Sequence, residues 1–182
     1  MKGFTRKDPL FSLCGLNCGL CSMRLGGHCG GCGFGNQSCK IARCSLEHGG
    51  VEYCFRCEEY PCARYREDDR YDLFITSQHR LADLEKAQRM GPEAYGREQA
   101  EKAALLEDLL EQYNDGRRKT LYCLAVNLLE AEEIREAIRE AEARPELAEA
   151  GIREKAAYLA GALRRLAEGK GIRLKLRKKA KD

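Results

Sequence analysis

Long apolar runs are missing from this sequence of 182 residues, which also has no tryptophan and only four prolines. A membrane-spanning helix needs about 18 or more consecutive apolar residues, and so we expect no membrane span. Charges interrupt the N-terminal stretch MKGFTRKDPLFSLCGLNC, and we expect no signal peptide. These absences predict a soluble, cytoplasmic protein.

Signatures of common enzymes are also missing. The sequence contains neither a phosphate-binding loop nor a dinucleotide-type glycine fingerprint. His79 and Cys123 have no neighbour in sequence that would complete a nucleophile and base pair. We therefore predict no catalytic residue, and whether the chain is an enzyme stays open. The length corresponds to one domain, or to one domain with a small appendage.

Charge is distributed unevenly along the chain. Residues 63–168 carry 18 basic and 23 acidic side chains, whereas residues 169–182 carry seven basic and one acidic. We predict that residues 170–182 form a basic tail, which would either bind a polyanion such as a nucleic acid or act as a solubilising segment. The tail lacks the aromatic residues that stack on single-stranded nucleic acids.

Cysteine is concentrated near the N-terminus, where ten of the eleven thiols lie within 49 residues. In a reducing compartment, clustered cysteines favour metal ligation over disulfides. Spacings of two to four residues allow one turn of backbone to present two sulfurs to a single ion. The predicted metal ligands are Cys14, Cys18, Cys21, Cys29, Cys32, Cys39, Cys44, Cys54, Cys57 and Cys62.

The pairing of these thiols is not determined by their spacing. Two tetrahedral zinc ions would use eight of them and leave two over. A nested site that joins Cys29 and Cys32 to Cys54 and Cys57 has the spacing of a zinc ribbon. The other six thiols would then compete for a second site. His28 and His48 are possible substitutes for a thiolate.

Iron is the alternative metal, because thiolate ligands also suit iron–sulfur clusters. The ferredoxin run C-x2-C-x2-C-x3-C-P is absent. The spacing Cys14-x3-Cys18-x2-Cys21 is also found in radical S-adenosylmethionine enzymes. The sequence, however, shows no series of strand and helix units from which the barrel of those enzymes would be built. We favour zinc, with two ions.

Four segments together resemble a known family: CGLNCGLC, CGGC, a Cys-x4-Cys pair and EYCFRCEEYPC. Their order is similar to that in the bacterial and archaeal cysteine-rich family called domain of unknown function 3795. The later segments YDLFITSQHR and NDGRRKTLYCLAVNLLE resemble its longer members. The resemblance implies a metal-binding cysteine domain with a helical extension, and it implies no activity.

The remainder of the chain has helical periodicity. We predict a helix capped by Ser77 and ended by Gly91, and a second one that begins at Pro92 and precedes a turn at 114–116. A third helix is predicted to run from about residue 117 to residue 142. A fourth follows Pro145, with Ile152, Ala156, Leu159, Leu163 and Leu166 facing inward. Alternating residues at 172–177 predict a short strand, and we expect residues 178–182 to be disordered.

The predicted fold is a small irregular metal-stapled cysteine-rich domain, resembling a zinc ribbon or knuckle, followed by an α-helical bundle. Its parts would be a metal-binding domain at 1–70, a helical domain at 71–169 and the basic tail at 170–182. The predicted function is a zinc-stabilised binding module that recognises a protein or nucleic-acid partner. The alternatives are an iron–sulfur redox or enzyme component and a metal storage or delivery protein. We expect Cys123 to be a core thiol.

Overall fold

The structure is a computed structural model, which describes residues 2–34, 38–64 and 71–178. These residues contain eight α-helices and two 3-10 helices, and no strand is found among them. The prediction of a largely helical protein is confirmed. The zinc-ribbon part of the prediction is not shown, because a ribbon is built from short strands and the described residues contain none. No helix in the described part of the chain is long and apolar enough to cross a membrane.

The chain divides into two compact units. The first holds the described residues as far as Ala100 together with those from Leu176 onward, and the second holds Glu101–Lys175. The predicted boundary near residue 70 therefore differs from the observed division. The reason is that the cysteine-rich segment shares a core with residues that follow it, among them Leu84 and Tyr95.

Short helices and turns make up most of the first unit. Its elements are a 3-10 helix at Cys18–Leu20, α1 at Ser22–Leu25, α2 at Lys40–Glu47, a second 3-10 helix at Cys54–Arg56 and α3 at Arg80–Met90. Helix α4, at Pro92–Gln112, begins in the first unit and continues into the second. As predicted, α3 ends at Gly91, whose φ of 90° suits glycine.

The core of the first unit is aromatic. Phe11 contacts both Tyr53 and Tyr95, with ring centroids 5.6 Å and 4.5 Å apart. Leu84 and Ala87 of α3 complete this core, and both are fully buried. The segment from Cys14 to Cys62 supplies four of the ten buried residues of this core, Cys14, Ile41, Ala42 and Tyr53, and the other six come from outside it. The core therefore depends on residues from both sides of that segment.

Helix α5, at Lys119–Leu128, is the most buried element of the second unit. All eight residues from Leu121 to Leu128 are buried. Helices α6 at Ala131–Glu142 and α8 at Ile152–Gly169 pack against it, and α7 is a single turn at Pro145–Ala148. Cys123 is 7% exposed, which confirms the prediction of a buried core thiol.

The structure corrects two of the helix predictions. The predicted third helix is two helices, because Glu130 and Glu133 form a reciprocal capping box that starts α6 after the extended residue Leu129. The predicted fourth helix is preceded by the separate turn α7. Ile152 is 44% exposed, because it is the first residue of α8, although Ala156, Leu159 and Leu163 are buried as predicted.

The predicted strand at 172–177 does not form. Ile172, Leu174 and Leu176 are half-buried and Arg173 is exposed, so burial does alternate there. A strand also requires a ladder of backbone hydrogen bonds with a neighbour, and, among the described residues, the single bond from the Asp72 amide to the Arg177 carbonyl, at 2.8 Å, does not make a ladder. Of the predicted basic tail, residues 179–182 lie outside the described residues.

Arg177 ties the end of the chain to Asp72 within the first unit. The Arg177 amide donates to Asp72 Oδ2 at 2.9 Å, and its guanidinium donates to Asp72 Oδ1 at 2.9 Å. Ser77 donates to the same carboxylate through its amide, at 2.9 Å, and through its hydroxyl, at 3.1 Å. Ser77 therefore binds Asp72 instead of capping α3. Burial raises the pKa of Asp72, but the hydrogen bonds from Arg177 and Ser77 outweigh burial and lower it.

We predict that Arg177→Ala and Asp72→Asn each destabilise the first unit by about 1–3 kcal/mol. The first variant removes the charged donor of the buried carboxylate, and the second removes the charge of the acceptor. The lowered pKa means that this stabilisation is complete above the pKa of an unfolded aspartate, about 4, and is lost as pH falls through the folded value. Thermal unfolding measured between pH 2.5 and 7 tests this prediction. Lys178→Ala, at the exposed neighbouring position, is the matched control, and an equal effect of this variant would contradict the prediction.

Candidate metal centre

Four of the predicted ligands line one small cavity of the first unit. They are Cys44 in α2, Cys54 and Cys57 around the second 3-10 helix, and Cys62 after Pro61. The cavity has a volume of about 20 Å³, which is close to the space that a single water molecule or ion occupies. Ile41, Val51 and Tyr60 contribute to its walls. Thiol groups from three separate segments are therefore collected around a volume suited to one ion.

Local backbone hydrogen bonds position these thiols. The Cys57 amide donates to the Cys54 carbonyl at 2.9 Å, which closes the 3-10 turn between them. The Tyr60 amide donates to the Cys57 carbonyl at 3.1 Å, and the following Tyr60–Pro61 bond is cis. The Cys54 amide donates to the carbonyl of Leu13 at 2.9 Å, which attaches the turn to the core. The Cys-x2-Cys spacing therefore corresponds to one closed turn.

His48 borders the same cavity, but both of its ring nitrogens already contact oxygen atoms. Its Nδ1 donates to the carbonyl of Cys44 at 2.9 Å, and its Nε2 lies 3.3 Å from Glu59 Oε1. The hydrogen bond to Cys44, followed by the one to Glu59, raises the pKa of His48. The four thiols are thus better placed than His48 to act as ligands. His28, the other histidine considered as a ligand, is exposed and lies against Gly26.

The other six thiols form a second set. Cys14, Cys18, Cys21, Cys29, Cys32 and Cys39 are linked by mutual electrostatic effects. Burial raises the pKa of Cys18, and the nearby thiols of Cys32, Cys14, Cys21 and Cys29 raise it further. Burial likewise raises the pKa of Cys32 to about 11, although Arg6 opposes the shift. A cation shared by such thiols would stabilise their ionised form.

Several donors already point at sulfurs of this six-thiol set. The Gly31 amide donates to Cys29 Sγ and the Ala42 amide to Cys39 Sγ, each at 3.4 Å. The Ser12 hydroxyl lies 3.2 Å from Cys14 Sγ. Each of these three sulfurs is therefore held in its loop by a polar group close to it in sequence.

Two glycines allow the cysteine loops to approach their neighbours closely. Gly15 has a φ of 91°, and a Cβ there would lie 2.2 Å from the carbonyl oxygen of Arg80. Gly31 has a φ of 97°, and a Cβ there would lie 2.3 Å from the carbonyl oxygen of Pro9. Both positions require glycine, since any other residue would be strained and would collide with backbone.

Two buried arginines accompany the six-thiol set, and sequence reasoning did not identify them. Arg6 and Arg80 are 7% and 5% exposed. Arg6 donates to the carbonyl of Phe11 at 2.8 Å, pairs with Glu52 at 3.2 Å and lies over the ring of Tyr53. Burial raises the pKa values of Cys32 and Cys14, and Arg6 and Arg80, respectively, oppose this rise. Both arginines stand beside polar or basic residues in the sequence, Arg6 between Thr5 and Lys7 and Arg80 after His79, and such neighbours do not predict burial.

The donors are thiols, which suit a thiophilic metal ion. The distances between them, however, are too long for coordination as they stand. All eleven cysteines are free thiols. In the described part of the chain, no three cysteine, histidine, aspartate or glutamate donors are close enough to hold an ion as they stand. The observed grouping also differs from the predicted nested pairing: Cys29 and Cys32 lie with Cys18, whereas Cys54 and Cys57 lie with Cys44 and Cys62.

Comparison with protein-family models, with curated proteins and with solved structures finds no significant match to this chain. The resemblance to domain of unknown function 3795 therefore stays a prediction.

We predict that Arg6→Met destabilises the first unit by about 1–3 kcal/mol, because the carbonyl of Phe11 and the carboxylate of Glu52 lose a buried charged partner. Denaturant unfolding monitored by tyrosine fluorescence measures the change. Arg24→Met is the matched control, since Arg24 is exposed, and a substitution at such a site usually changes stability by less than about 0.5 kcal/mol. Equal stability of the two variants would show that the buried guanidinium is dispensable.

Proposed function

We propose that this chain is a zinc-binding protein whose first unit is stabilised by thiolate coordination and serves as a binding module for a partner protein. The observation that carries the metal part is the collection of ten thiols in one unit, four of them around a cavity of about 20 Å³. A coordination shell filled by thiolates makes the metal structural, because no position is left for a reactive water.

The architecture of the first unit supports a structural role for the metal. As far as Glu47, its helices are a 3-10 turn, a four-residue helix and an eight-residue helix, and the described residues between them form turns and loops. Loop-rich domains with small cores generally need metal ions or disulfides for stability. Because the cysteines are free thiols, metal coordination is the available way to fasten these loops.

The partner is proposed to be a protein because of exposed apolar side chains in the first unit. Leu73 is 77% exposed, Phe74 is 61% exposed and Tyr71 is 45% exposed. Adjacent exposed apolar residues are typical of interaction surfaces. The basic tail has less charge available for a polyanion than its composition indicates, because Lys170 pairs with Glu133 at 2.7 Å and Arg177 pairs with Asp72.

Iron–sulfur binding is the competing proposal, since the six-thiol set offers more sulfurs than one tetrahedral ion needs. The two proposals differ in visible properties. A zinc protein purified under argon is colourless, whereas a cluster protein is brown and contains sulfide as well as iron. Metal storage or delivery would give more than two ions per chain and rapid exchange with a chelator.

We predict that protein purified under argon contains two zinc ions per chain, as measured by elemental analysis. A strong chelator should make the first unit susceptible to protease, while the helices of Glu101–Lys175 keep their circular dichroism because they have a core of their own. Cys123→Ser should keep the full metal content, because this thiol lies in the second unit. Protein without bound metal, or a chelator without effect on proteolysis, would refute the proposal.

A further inference from the structure

We propose that Cys44, Cys54, Cys57 and Cys62 bind one tetrahedral, zinc-class metal ion in a closed site of their own, separate from the other six thiols. This inference rests on the proposed function and adds to it the assignment of ligands. It also replaces the zinc-ribbon pairing of Cys-x2-Cys segments, which the spacing along the chain favours. All four cysteines line the same cavity.

The size and lining of the cavity match a single ion. Its volume of about 20 Å³ is enough for one ion, and the four sulfurs would move closer together to coordinate it. Among its lining residues, Ile41, Val51 and Tyr60 are apolar or aromatic, so sulfur is the main soft donor available. A structural zinc site needs four such donors at about 2.3 Å, and four is the number of thiols present. The site would therefore be completed by protein ligands alone.

The polar neighbours of the cavity do not compete with the thiols for the metal. Both nitrogens of His48 are used, one by the carbonyl of Cys44 and one by Glu59. Arg64 lines the cavity and hydrogen-bonds the Cys44 thiol. Four thiolates around a divalent ion carry a net charge of about −2, and the guanidinium of Arg64 partly compensates it.

The position of the other Cys-x2-Cys pair argues against the nested site. The Cys32 amide donates to the carbonyl of Pro9 at 2.8 Å, and Gly31 packs against the same carbonyl. The Cys29–Cys32 turn is thus fastened to the segment before Cys14, beside the thiols of Cys18 and Cys14. Neither Cys29 nor Cys32 contributes to the lining of the four-thiol cavity.

Alkylation of thiols in variants with one pair removed tests the assignment. The full chain, made metal-free under argon and reloaded with Zn²⁺, is treated with N-ethylmaleimide, and each cysteine is read by peptide mass spectrometry. In Cys54→Ser/Cys57→Ser we expect the loss of one zinc ion per chain and the loss of protection at Cys44 and Cys62, while Cys29 and Cys32 stay protected.

The matched variant is Cys29→Ser/Cys32→Ser. Here we expect Cys44, Cys54, Cys57 and Cys62 to remain protected by one bound zinc ion. If instead this variant exposed Cys54 and Cys57, or the first variant exposed Cys29 and Cys32 while Cys44 and Cys62 stayed protected, the nested pairing would be right and our assignment wrong. Wild-type protein without any zinc-dependent protection would refute the proposed function itself.

A measurement on the wild-type chain covers the case in which a variant fails to fold. Zinc is withdrawn stepwise with a chelator, and the protection of all ten thiols is followed together. We expect Cys44, Cys54, Cys57 and Cys62 to lose protection as one group, at a chelator concentration or rate different from that of the other six. A group that mixes Cys29 and Cys32 with Cys54 and Cys57 would overturn the assignment.

Discussion

The first unit depends on the packing of its cysteine loops against helices α3 and α4. Gly15 approaches the backbone of Arg80 so closely that a side chain would not fit. Asn17 donates to Asp83 of α3 at 3.1 Å and accepts a hydrogen bond from Tyr95 of α4 at 3.0 Å. These contacts join the cysteine-rich segment to core residues that lie outside it, among them Leu84 and Tyr95. They also explain why the unit extends to Ala100 rather than ending near residue 70.

Electrostatics connects this packing to the chemistry of the thiols. Burial and mutual proximity raise the pKa values of Cys14, Cys18 and Cys32, which opposes ionisation. The buried cations Arg6 and Arg80 act in the opposite direction, as does the proposed divalent ion. The buried arginines therefore offset part of the cost of ionising these thiols, and the proposed ion would offset more of it.

The end of the chain has a structural role that its composition does not indicate. A run of basic residues after Glu168 predicts a polyanion-binding or solubilising tail. In the structure, Arg177 is instead the partner of the buried carboxylate of Asp72, and Lys170 pairs with Glu133. Two of the tail's cations are therefore used within the protein. The position of Arg177 therefore depends on its hydrogen bonds to the buried carboxylate of Asp72.

Local sequence patterns determined the helical class, the end of α3 at Gly91, the start of α4 at Pro92, the burial of Cys123 and the concentration of thiols. Each depends on interactions between residues a few positions apart, such as helical periodicity, capping and the spacing of a turn. Only the tertiary structure decided the grouping of the thiols, the burial of Arg6 and Arg80 and the failure of the predicted strand. These features depend on segments far apart in the chain, and the spacing between residues carries no information about which distant surfaces will meet.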